Sequence, residues 1–302
     1  MRPAVPLAIL NGTRLHYQRV GEGPDLVLVH GIAANLAFWF PRIAPALAQR
    51  RRVTVYDLRG HGLSAMPPVG YTPADMAEDL GGLMDHLGIE RADLVGHSFG
   101  GTICLEYAAR HPDRVRSLTL ADVTVNALQS IDSGQDWAYW KTWREQLESV
   151  GITVPAELPK VTFGLLEELA DPRRLAARQK KHPGEFFVPF GRWNGARRTA
   201  RKWLKLLRTT QAWKEMQSGG PTLEEIRRIG HPCLLIFGER SRWLRTCEVL
   251  AETLPNADTV IVQGAGHFFP LLKPLVFAGH LGAFLERNGT VHGSASAAGG
   301  QA

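Results

Sequence analysis

The chain has 302 residues, 44% of them apolar, with 35 basic against 29 acidic side chains. That suffices for one large α/β domain or two small ones, and no stretch is long and pure enough to span a bilayer or to read as a secretory leader. Three cysteines (Cys104, Cys233, Cys247) lack metal-ligand spacing, and no P-loop or dinucleotide fingerprint occurs, so neither metal nor cofactor is expected, and the sparse, odd count fits a reducing cytoplasm.

In chain order, Leu7–Leu10 and Leu15–Val20 flank Asn11-Gly12, the signal of a tight hairpin. Leu26–Val29 and Val53–Tyr56 read as short buried strands, the second ending at Asp57. Pro73 to Leu87 reads as an amphipathic helix with Thr72 as its N-cap and proline at its first position. Next comes the most informative stretch. The apolar run Ala92–Val95 leads into Gly96-His97-Ser98-Phe99-Gly100, and Gly101–Tyr107 reads as a helix. Strand, sharp turn and helix put a serine at the tip of the turn, where φ/ψ is strained and glycines let neighbouring chain pass close by. The Ser98 hydroxyl then stands above a sheet edge, beside the positive end of a helix.

Leu118–Leu120, Leu234–Phe237 and Thr259–Val262 complete a set of apolar strands separated by helical patterns. That alternation predicts an α/β fold, a mostly parallel sheet covered on both faces. The rhythm breaks between Val123 and Ile229, a stretch that reads as a helical lid over the strand ends. The predicted organisation is a core of residues 1–122 and 230–288, a lid of 123–229, and a disordered Gly/Ala/Ser tail of 289–302.

The serine elbow and four further segments, Val29-His30-Gly31-Ile32, Asp57-Leu58-Arg59-Gly60-His61-Gly62, Leu235-Ile236-Phe237-Gly238-Glu239 and Gly264-Ala265-Gly266-His267, occur in the order of an α/β-hydrolase. The chain resembles that superfamily over about residues 7–288, which implies an eight-stranded sheet flanked by helices and a serine hydrolase. A serine hydroxyl needs a base to take its proton. The resemblance places His267 on a loop over Ser98 as that base, ahead of His30 and His61 in structural HG motifs, His97 inside the elbow and His111 before Pro112. The acid has two candidates. Relatives often carry a G-E-x-D pattern after the strand before the histidine, but here it reads Gly238-Glu239-Arg240-Ser241, with Ser241 where the aspartate would stand. Asp122, at the end of the strand after the elbow, is the favoured acid, as in some subfamilies; Glu239 is the alternative. Backbone N–H groups of Phe99 and Ile32 are expected to form the oxyanion hole. Asp57 and its loop are expected to brace the floor of the site. Aspartyl-enzyme chemistry, as in dehalogenases, needs an aspartate at the elbow, where this chain has Ser98.

The insertion carries six of the eight tryptophans. Trp137, Trp140 and Trp193 are candidates for an apolar pocket wall, against the plainer role of lid-to-core packing. From Arg173 to Lys214 there are thirteen basic residues and one acidic residue, Glu185, a local charge of +12; the chain as a whole is +6, which leaves the rest at −6. The plain reading is a solvated helix face. The functional one is a dock for an acidic partner: an acyl carrier protein suits it, as do a CoA thioester and a carboxylate-bearing substrate, and nucleic acid is excluded for want of an accompanying motif. Together these features are similar to discrete thioesterases of polyketide pathways, the polyether type above all, which would act in antibiotic biosynthesis. That resemblance implies cleavage of an ester or thioester of a large apolar acyl chain. A carboxylesterase or lactonase on small substrates, and a non-catalytic ligand-binding protein, are the alternatives.

Overall fold

The structure is a computed structural model that describes residues 5–128, 138–149, 151, 172–181 and 196–290. Eight strands form one sheet: β1 (Leu7–Leu10), β2 (Thr13–Val20), β3 (Asp25–Val29), β4 (Arg52–Tyr56), β5 (Ala92–His97), β6 (Val115–Ala121), β7 (Cys233–Gly238) and β8 (Ala257–Val262). Their spatial order is β1-β2-β4-β3-β5-β6-β7-β8. β1 and β2 pair antiparallel, β2 runs antiparallel to β4, and every other pairing is parallel. The hairpin turns at Asn11 and Gly12, both with positive φ (45° and 69°), as the Asn-Gly pair predicts.

Helices cover both faces. They are α1 (Ile43–Leu47), α2 (Pro73–His86), α3 (Phe99–Arg110), α4 (Trp140–Glu148), α5 (Pro172–Lys181), α6 (Ala196–Thr209), α7 (Ala212–Glu215), α8 (Leu223–Arg227), α9 (Leu244–Thr253), α10 (Phe269–Leu272) and α11 (Pro274–Thr290). α2 opens with a capping box in which Thr72 and Asp75 satisfy each other's backbone N–H. Two apolar clusters sandwich the sheet. One joins α2 and α3 to Leu94, Leu118 and Leu235; the other joins α1 and α11 to Leu28, Val95 and Ile236. Strands buried on both faces are therefore continuous apolar runs, and all three cysteines are core residues. No helix among the described residues is long and apolar enough to cross a membrane.

α4 to α8 lie between β6 and β7, the stretch that breaks the strand–helix rhythm. Trp203 on α6 is buried, and half-buried Trp213 packs against the same core. The predicted tail begins too early, because α11 runs on through Gly289 and Thr290. Glycine is tolerated in the last turn of a helix, where most backbone bonds are already made. Residues 291–302 lie outside the described residues.

Candidate active site

The sheet order brings four loops to one edge. The chain enters β3, passes to β4 on one side, and crosses to β5 on the other, so a crevice opens where the direction of winding reverses. Val29 of β3 is in register with Gly96 of β5, which sets the loop His30–Ile32 beside the serine turn. His97 is in register with Ala121, which puts Ser98 next to Asp122. Ala121 is in register with Ile236, and Gly238 with Val262, which leads in turn to the loop carrying His267.

Ser98 has φ 54° and ψ −127°, a region that non-glycine residues avoid. Its surroundings hold it there. Its N–H donates to Ala121 O at 3.1 Å, and helix α3 starts at the next residue. A Cβ on Gly96 would lie 2.4 Å from Gly101 Cα, and one on Gly100 would lie 2.3 Å from Val29 O, so neither position admits a side chain. Phe99 is the first residue of α3, and the first N–H groups of a helix have no partner within it. Its N–H is therefore one candidate donor to an oxyanion, with the N–H of half-buried Ile32 as the other.

Asp122 is fully buried and has φ 48°. Its carboxylate is held by three donors. His267 Nδ1–H donates to Oδ1 at 2.8 Å, the Ser241 hydroxyl donates to the same oxygen, and Gly238 N–H donates to Oδ2 at 2.9 Å. The hydrogen bond at Nδ1 leaves Nε2 of a neutral His267 as the basic nitrogen. Glu239, the alternative acid, accepts instead from Gly264 N–H at 2.8 Å. It braces the loop that carries the histidine and does not touch the ring. Among the described residues no hydrogen bond reaches the Ser98 hydroxyl; such contacts commonly tighten only once substrate is bound.

Ser241 is the residue that reading the sequence undervalued. It stands where the expected aspartate is missing, and its hydroxyl both donates to Asp122 and accepts from Trp243 N–H at 3.0 Å. His97 adds a second support, since its Nε2–H donates to His267 O at 2.8 Å and its ring lies 4.8 Å from the His267 ring. Burial, reinforced by the neighbouring His267, keeps the His97 pKa well below the ordinary histidine value.

The Asp57 loop braces residues Ala33–Leu36, which follow the candidate donor Ile32. Burial works against the ionised Asp57 carboxyl, but hydrogen bonds from His16 Nδ1 (2.7 Å), Leu36 N–H (2.7 Å) and Leu63 N–H (2.7 Å) hold its pKa low. His61 donates from Nδ1 to Arg59 O at 2.9 Å and accepts from Ala33 N–H at Nε2, 3.2 Å away. Burial, with His30 beside it, depresses the His61 pKa to about 3, so the ring is neutral and able to accept. A cavity of about 260 Å³ lies between this loop, residues Ala33–Leu36 and α6; Ser98 and His267 do not line it. Of the proposed pocket tryptophans, Trp137 and Trp193 lie outside the described residues, and Trp140 begins α4.

The family model described as the alpha/beta hydrolase fold matches residues 24–274. A 2-hydroxymuconate semialdehyde hydrolase from Pseudomonas sp. (strain CF600) is 30% identical over 286 residues, covering 92% of each chain. The solved enol-lactonase from Burkholderia xenovorans LB400 matches with a TM-score of 0.67 at 26% identity, over 93% of this chain and 100% of its own. A carboxylesterase from Bacillus subtilis shares the fold, with a TM-score of 0.69 at 22% identity over 93% and 91% of the two chains. The chain is thus a hydrolase and belongs to the α/β-hydrolase fold family.

Proposed function

We propose that this hydrolase cleaves esters or thioesters through an acyl-serine intermediate. In this reading Ser98 attacks the carbonyl carbon while His267 Nε2 takes the hydroxyl proton. Asp122 stabilises the imidazolium that results, and the N–H groups of Ile32 and Phe99 receive the charge on the carbonyl oxygen. His267 then passes its proton to the leaving alcohol or thiol. Water attacks the acyl-serine in the second half, with His267 again as base. The observation that carries the proposal is the hydrogen bond from His267 to a buried carboxylate, next to a serine held in strained backbone. Turnover of p-nitrophenyl esters tests it. Ser98→Ala is expected to lower kcat by roughly ten-thousandfold or more, and equal rates would sink the reading. Loss of covalent labelling by a fluorophosphonate in the same variant separates an enzyme from a ligand-binding protein on this fold.

The finer reading is a large apolar, polyketide-like acyl chain delivered by an acidic acyl carrier protein, with residues 123–229 as the lid. Its support is the basic segment 173–214. On α6, Arg198, Arg201, Lys205 and Arg208 are exposed at spacings of three, four and three residues, a stripe along one helix face. The likeness to an enol-lactonase favours a second reading, a small ester or lactone. Comparing kcat/KM for a carrier-bound acyl thioester with that for the same free acyl ester separates the two. Carrier delivery predicts a preference for the bound form that high salt and Arg201→Glu with Lys205→Glu both remove. Equal use of both forms favours the small substrate.

A further inference from the structure

Lys202 stands on the same helix as the basic stripe but does not belong to it. It is half-buried, and its ammonium donates to three backbone carbonyls: His61 at 3.0 Å, Gly62 at 2.6 Å and Ser64 at 2.9 Å. An ammonium has three donor hydrogens, so this cage uses its full capacity. Burial lowers the Lys202 pKa, opposed in part by the Asp57 charge. Two other contacts tie α6 to the same region. Asn35 Nδ2 donates to Thr199 Oγ1 at 3.2 Å, and the Trp203 ring lies 5.7 Å from that of His61.

The loop so gripped holds the oxyanion segment. His61 receives the N–H of Ala33, and Asp57 receives that of Leu36. Ala33 has φ 59°, a left-handed conformation that is unfavourable for an alanine and persists only when its neighbours enforce it. Ile32, the expected oxyanion donor, is the residue immediately before it. The contacts therefore run without a break from Lys202, through the carbonyl of His61 and its ring, to the backbone beside Ile32.

We propose that Lys202 is a positioning residue for the oxyanion hole, a clamp by which α6 of the insertion holds the segment Ile32–Leu36 in its strained form. The catalytic part of this inference rests on the acyl-serine reading above; the structural part does not. Docking of the insertion then governs the transition state as well as access to the site. A hole that must be in place before charge develops acts on kcat and leaves ground-state binding alone.

The test is Lys202→Met, which keeps the length and removes the cation, read in two ways. Steady-state kinetics on a free ester should give kcat down about tenfold with KM within about twofold, a smaller loss than outright removal of an oxyanion donor. Hydrogen exchange of the folded variant should be faster at the amides of Ile32–Leu36 as well as in α6. If the methionine variant does not fold, Lys202→Gln, which can still donate to a carbonyl, carries the same expectation at about threefold in kcat. Exchange that rises in α6 alone, with kcat unchanged, overturns the proposal. Faster exchange at Ile32–Leu36 in a protein without esterase activity would leave the clamp standing and remove only the acyl-serine reading.

Discussion

The strand ends and the insertion solve different problems with different means. Ser98, Asp122 and the loop of His267 are placed by strand register, since each follows the last residue of a strand or a short turn beyond it, and the strands pair directly. Nothing between them can slip without moving a side chain to the other face of the sheet. The described helices of the insertion have no such ruler. α6 is located by a buried apolar face, by Lys202 and by a few side-chain contacts, and its outer face is cationic. The strand ends are thus fixed by the sheet itself, and α6 by side-chain packing against it.

The sharpest way to break it is at the acid. Asp122→Asn should lower kcat by about a thousandfold or more, because the amide cannot stabilise the imidazolium. Glu239→Gln should change kcat by less than about twofold, and the reverse pattern in the same ester assay would reassign the role. A packing change at the edge comes next. Gly100→Ala would put a Cβ 2.3 Å from Val29 O and 2.7 Å from His30 O, with only backbone in the way. A stability loss of about 2–3 kcal/mol by denaturant titration is expected, together with loss of esterase activity. Ser241→Ala is milder. It removes one of three donors to Asp122, so kcat should fall about tenfold or less, with Ser241→Thr restoring most of it. An unchanged kcat would mean that the other two donors hold the carboxylate by themselves.

A further expectation concerns stability against pH. His61 has a folded pKa of about 3 against an ordinary 6.5. The unfolded chain therefore takes up a proton between those values that the folded chain refuses. The contribution is fully present above pH 6.5 and declines as pH falls towards 3. His30 and His97 are shifted the same way, each by burial first. Tm should fall steadily from pH 7 to pH 4, and His61→Gln should flatten part of that slope. A slope unaltered by the substitution would show that His61 takes up its proton at the same pH in the folded and unfolded chains.

The edge was more legible than the cover. Glycines at 96, 100 and 101 around Ser98 announce a turn that admits no side chains, and the apolar runs announce buried parallel strands. The bond between Asp122 and His267 was not readable as such, since 145 residues separate them and only the resemblance suggested the pairing. Ser241 was visible as a substitution but not as a donor, because hydroxyl direction depends on packing. Lys202 was invisible among thirteen cations, since charge alone does not distinguish a rim residue from one turned inward onto carbonyls. Ala33 gave no sign either, as its left-handed backbone is imposed by its neighbours.

Two groups share one oxygen of Asp122: the His267 imidazole and the hydroxyl at position 241. A carboxylate introduced at 241 would therefore stand beside the one at 122, within reach of the same ring. Asp122→Asn combined with Ser241→Asp should therefore recover part of the activity that Asp122→Asn alone loses.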